Sequence, residues 1–168
     1  STLYSIYGHA KMLIIPSFME GDSATAYIDE TLERYPEMGS WLESFLNNGG
    51  LIWTEGNACY LLEACGLLEE GTVDLSNRVD GFGEHMMAEV AIETPNNPLA
   101  LVPQNELYTV SGPSLDRTLP TIARFTRTAN PSDAGKPAIA YLEGEEAYGG
   151  RIVLCAGLPT ATTITNPS

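Results

Sequence analysis

One block of the chain constrains the fold more than any other. Asn47-Asn48-Gly49-Gly50 is followed by Leu51-Ile52-Trp53-Thr54, then by Glu55-Gly56-Asn57, then by a segment with Ala58, Leu61, Leu62, Cys65 and Leu68 at helical spacing. Asn and Gly tolerate left-handed backbone and end a helix. The apolar run that follows suits a buried strand, Glu55-Gly56-Asn57 is a tight turn, and the leucine spacing predicts a helix with one apolar face. Upstream, Pro36 opens a helix in which Met38, Trp41, Leu42, Phe45 and Leu46 form one stripe. Before that, Asp22-Ser23 is a helix cap ahead of Ile28, Leu32 and Tyr35, and Met12-Leu13-Ile14-Ile15, closed by Pro16, reads as a strand covered on both faces. Strands alternating with helices over connections of this length imply an α/β fold with right-handed parallel crossovers.

The second half changes character. Val90-Ala91-Ile92, Leu107-Tyr108-Thr109-Val110, Ala138-Ile139-Ala140-Tyr141 and Ile152-Val153-Leu154 read as short strands separated by Pro, Asn and Gly clusters. A further helix is expected around Leu119 to Phe125, with Pro120 in its first turn, and Glu143-Gly144-Glu145-Glu146 reads as a solvated hairpin tip.

The 168 residues fit a single domain with one core, and the 43% apolar content is enough to fill it. The 22 acidic residues against eight basic ones give a formal charge of −14, which would repel nucleic acid and anionic membrane surfaces. No run approaches the roughly eighteen apolar residues of a membrane span, and Ser1-Thr2-Leu3-Tyr4 lacks the layout of a signal peptide. The absence of an initial Met fits a processed chain or a segment of something longer, and the compartment is not indicated. Cys59, Cys65 and Cys155 cannot all pair within the chain and match no zinc spacing. With His9 and His85 the two histidines, neither a metal site nor a cofactor is expected.

The stretch from Gly49 to Leu68 resembles the core of class I glutamine amidotransferase-like domains, in which a strand ends in a sharp turn that presents a Cys ahead of a leucine-rich helix. Leu61-Leu62 and Cys65-Gly66-Leu67-Leu68 carry the likeness, and the nucleophile position falls on Gly56. Ser111-Gly112-Pro113, Ile122-Ala123-Arg124-Phe125, Lys136-Pro137-Ala138-Ile139-Ala140 and Gly149-Gly150-Arg151-Ile152-Val153-Leu154 look like the closing part of the group related to the biotin-protein-ligase N-terminal domain. There a His-Pro-Glu follows the final strand, and here Leu158-Pro159-Thr160 takes its place. The resemblance implies a flavodoxin-like three-layer sandwich with a mostly parallel central sheet. The family's usual first strand and helix lack room in the eleven residues before Met12. It therefore implies a sheet completed by other polypeptide, either an upstream part or a second copy.

Cysteine-dependent hydrolysis needs a thiolate, an imidazole to take its proton and N–H donors for the oxyanion. Gly56 cannot attack and Leu158 cannot move a proton, so the chain is expected to be a non-catalytic unit that binds a partner protein or a small ligand, with self-association also expected. The Gly56 turn, with Glu55, Asn57 and Leu158 around it, is the expected binding position, and its N–H groups suit a small anion. The alternative reading is a hydrolase or amidotransferase that uses Cys59, with His85 beside Glu84 as its base. A third is an architectural subunit. Cys59 falls in the first helical turn, where a small semi-buried residue needs no catalytic role.

Overall fold

The computed structural model describes residues 11–18, 23–82, 87–93, 107–157 and 159–161. The first half follows the periodicity of the sequence. Strand β1 (Met12–Ile15) leads through helices α1 (Ser23–Arg34) and α2 (Met38–Asn47) into β2 (Leu51–Glu55), and a 3-10 turn over Gly56–Ala58 opens α3 (Cys59–Ala64). Ile28 of α1 and Leu42 and Leu46 of α2 are buried, as their spacing requires. Gly49, at φ +81°, ends α2 in the left-handed region. Helix α3 ends sooner than the leucines suggested, because Gly66 at φ +76° turns the chain out after Ala64.

The second half is built of strands: β3 (Val73–Val79), β4 (Met87–Ile92), β5 (Leu107–Val110), β6 (Gly112–Leu115), β7 (Thr121–Arg127), β8 (Pro137–Glu143), β9 (Arg151–Cys155) and β10 (Pro159–Ala161). The helix expected around Leu119 to Phe125 is instead β7. Its Thr-Ile-Ala-Arg-Phe-Thr-Arg sequence is rich in strand-forming residues, Ile122, Ala123 and Phe125 are buried, and it pairs with β4 and β8.

Among the described residues eight strands form one sheet in the order β1-β2-β9-β8-β7-β4-β5-β10, and β3 pairs with β6 in a second. Only the β1–β2 and β2–β9 pairings among the described residues are parallel. The remaining pairings in this sheet are antiparallel. The α/β class is thus as expected, but the sheet is mixed rather than mostly parallel. The physical reason lies in the connections: the 144–150 link between β8 and β9 holds a 3-10 turn and no crossover helix, so it can join only antiparallel neighbours.

Strand β9 comes from the end of the chain yet lies between β2 and β8, so it locks the two halves into one sheet. Its Ile152 and Leu154 pack with Ile52 of β2, Leu46 of α2 and Leu62 of α3 in the hydrophobic core, all with no exposed surface. Strand β1 differs from expectation. Leu13 and Ile15 turn to the core, but Met12 is 43% and Ile14 56% exposed, because among the described residues β1 ends the sheet and only one of its faces is packed.

Candidate functional site

The carboxyl ends of parallel strands are where open α/β sheets place ligands, and here they are the ends of β1, β2 and β9. Gly56 follows β2 directly at φ +55°, a conformation that glycine adopts without penalty. A Cβ at Gly56 would stand 2.5 Å from Ser17 Oγ and 2.9 Å from Ser17 Cβ. Ser17, just beyond β1, therefore fills the space that a side chain at this turn would need. Gly56, Asn57 and Ala58 are all buried.

Cys59 opens α3 with 0% exposure. Its thiol donates to the Cys155 carbonyl at 3.4 Å. The Thr54 hydroxyl lies 3.3 Å from Cys59 Sγ and 3.2 Å from the Val153 carbonyl, and its one proton serves one of them at a time. Burial pushes the Cys59 thiol up to about 12, with the nearby Glu55 carboxylate adding to the rise and the Thr54 and backbone hydrogen bonds opposing it. A thiol shifted in this direction is held in its neutral form near pH 7, whereas cysteine chemistry uses the thiolate. Cys155 is likewise pushed well above its ordinary value by burial, then by Cys59 and Glu55. Cys65 packs against the core, where burial raises its thiol to about 11.

Glu55 ends β2 half-buried, and the Trp53 indole N–H donates to its Oε1 at 3.0 Å. In the register it stands beside Cys155 of β9. The structure thus brings Glu55, Gly56, Asn57 and Cys59 together with Cys155. His85, Leu158 and His9 lie outside the described residues. Among the described residues no three His, Cys, Asp or Glu side chains come together to hold a metal ion.

Ser17 was not singled out from the sequence, Thr54 was read as the end of a strand, and Gly112 as part of the family resemblance, none of them as neighbours of this turn. Gly112, the first residue of β6, has its backbone so close to the Ala156 carbonyl that any Cβ would overlap it, and β6 lies against the Gly56–Ala58 turn. The signal for Ser17 was the rule that parallel strands end at a common edge, since Ser17 follows β1 as Gly56 follows β2. Nothing around Gly112 in the sequence signalled this close approach, because its partner Ala156 lies far away in the chain.

No family model and no curated protein sequence matches the chain. Among solved structures it is similar to a β-galactosidase from Bacillus circulans sp. alkalophilus, with a TM-score of 0.53 and 14% sequence identity over 90% of this chain. The match spans 20% of that chain, about a fifth of its length, and at this identity the likeness is one of fold.

Proposed function

We propose that this chain is a non-catalytic glutamine amidotransferase-like domain of flavodoxin-like build, which serves as a protein-binding unit within a larger polypeptide or assembly. The observation that carries the reading is the Gly56 turn. Where a cysteine hydrolase of this class presents its nucleophile, the chain has a glycine at positive φ with Ser17 packed into the space beside it. Cys59, the thiol that follows, is wholly buried and held by Thr54 and the Cys155 carbonyl. An activated cysteine needs a cationic or basic neighbour to lower its pKa. Among the described residues the charge that acts on it is the Glu55 carboxylate, which raises it. The likeness to one fifth of a β-galactosidase chain supports a module that is embedded in a longer protein.

Thiol labelling tests this reading against the cysteine-hydrolase alternative. With iodoacetamide near neutral pH, Cys59 in the folded chain should react about a thousandfold more slowly than a free thiol, its rate limited by opening of the structure. Rapid modification of Cys59 without unfolding would favour the enzyme.

A further inference from the structure

Asn48-Gly49 is the one Asn-Gly pair in the chain. Asparagine is among the thermally labile residues, and a following glycine, having no Cβ, leaves its own peptide nitrogen without steric cover. That nitrogen can attack the asparagine side-chain carbonyl. A bond forms from the Gly49 nitrogen to Asn48 Cγ, the Cγ–Nδ2 bond breaks, and ammonia leaves with the proton given up by the Gly49 N–H. Water then opens the cyclic imide at one of its two carbonyls. The product is aspartate or, with an extra methylene in the main chain, isoaspartate. Asn48 and Gly49 are both exposed, so water reaches them.

The fold opposes the first step at three points. The end of α2 is a Schellman motif, in which the Gly50 N–H donates to the Phe45 carbonyl at 3.0 Å and the Gly49 N–H to the Leu46 carbonyl at 2.8 Å. The attacking nitrogen therefore holds its proton in a hydrogen bond. The leaving amide is engaged too, since Asn48 Nδ2 donates to the Ser44 carbonyl at 2.7 Å. Asn48 has ψ 15°, which nearly eclipses the Gly49 nitrogen with the Asn48 nitrogen about the Cα–C bond, whereas ring closure needs it beside Cβ. The corner around this motif has no slack. The Phe45 ring occupies the place of a Cβ on Gly50, and a Cβ on Gly150, just before β9, would stand 2.7 Å from the Leu46 carbonyl oxygen. The Gly50 carbonyl in turn accepts from the Arg151 N–H at 3.0 Å.

We propose that Asn48 is a deamidation site gated by the fold: it is converted in chains whose α2 end has opened, and conversion prevents that end from re-forming intact. A carboxylate there cannot donate to the Ser44 carbonyl. It also adds a negative charge at the carboxyl end of a helix, where the dipole disfavours one, on a chain already at −14. Isoaspartate would in addition lengthen the main chain at the corner that joins α2 to β2 and β9. The modification thus records an opening of this corner as a permanent loss of stability, whatever the domain binds.

The test is mass spectrometry of the peptide that contains Asn48, after timed incubation of the 168-residue chain in neutral buffer with and without urea. Conversion in the folded chain should be at least about tenfold slower than in the unfolded chain. This slowing should match the protection of the Gly49 amide against hydrogen exchange in the same buffer, because one opening releases both. Phe45→Ala, which uncovers Gly50 and leaves the Asn48-Gly49 pair intact, should speed conversion several-fold and lower Gly49 protection in step. The comparison within the unaltered chain stands even where Phe45→Ala fails to fold. Asn48→Asp, made directly, should lower the urea midpoint of unfolding. Equal rates in folded and unfolded chains, or conversion that outruns the opening measured by exchange, would mean that the closed end reacts and would overturn the proposal. A midpoint left unchanged by Asn48→Asp would overturn it as well.

Discussion

At the scale of single residues, Gly56 and Ser17 form one unit. Substitution of Gly56 by Ala meets two costs: a left-handed backbone, about 1–2 kcal/mol for an L-residue, and the overlap with Ser17. The overlap is with a short side chain and can be removed; the backbone cost cannot. Gly56→Ala should therefore lose about 2–4 kcal/mol, and Ser17→Gly in the same chain should recover the part due to overlap, leaving about 1–2 kcal/mol. A double-mutant cycle by urea unfolding measures this coupling, and strictly additive effects would place Ser17 elsewhere. Cys59 makes a second residue-scale prediction. Its folded pKa of about 12 exceeds the ordinary thiol value of 9.0, so the folded state resists ionisation. The stability this contributes is complete below pH 9.0 and lost as pH rises towards 12, at up to about 1.4 kcal/mol per unit. Tyr141 and the other two cysteines titrate in the same sense, so the readout is a difference: Cys59→Ala should flatten the fall in unfolding free energy above pH 9.0. An unchanged slope would mean that the thiol is not buried.

At the scale of elements, the helices were legible because burial on one side sets their apolar period, and β2 because burial on both faces makes its apolar run continuous. Strand β7 was not. Leu119, Ile122, Ala123 and Phe125 fall at spacings a helix also allows, and Pro120 suited a first helical turn. What decided the matter is pairing to β4 and β8, which no local window contains. Strand β3 escaped for a different reason: its Asp74, Ser76, Asn77 and Arg78 leave only Val73 and Val79 buried. The site was partly legible: the glycine at the turn could be read, but the Ser17 that fills its space could not. The β7–β8 hairpin carries its own test. Asp133 in its connection is buried and takes a 2.7 Å ion pair from Lys136, while its Oδ2 has no hydrogen-bond partner. Removing the cation leaves a buried, half-satisfied carboxylate, so Lys136→Met should cost about 3–5 kcal/mol. Lys136→Met with Asp133→Leu should cost much less, since an apolar pair replaces the ions. Thermal unfolding of the two variants distinguishes them, and equal losses would rule out charge burial as the cause.

At the scale of the whole molecule, topology and charge act in opposite directions. Placing β9 between β2 and β8 makes the last part of the chain indispensable to the first, which favours a single cooperative unfolding transition. The charge of −14 works against compactness, because folding brings carboxylates closer together than they stand in an expanded chain. Few attractive pairs compensate. The described residues hold three ion pairs, and in Arg124–Glu93 and Arg127–Glu89 both sides retain substantial solvent exposure, so each contributes at most about 1 kcal/mol. Asp133–Lys136 is buried and little screened by salt. Moderate salt should therefore weaken repulsion more than attraction and stabilise the fold. The Debye length shortens from about 30 Å at 0.01 M to about 10 Å at 0.1 M, which spans the separation between charges across a domain of this size. The midpoint of thermal unfolding should rise by several degrees over that interval, measured with sodium chloride and at a protein concentration dilute enough to keep the chain monomeric. Sodium chloride is chosen because sulfate would also strengthen apolar burial and confuse the two effects. A midpoint that falls with salt would show that attractive pairs outweigh the net charge, and that the acidic residues are arranged in networks rather than dispersed.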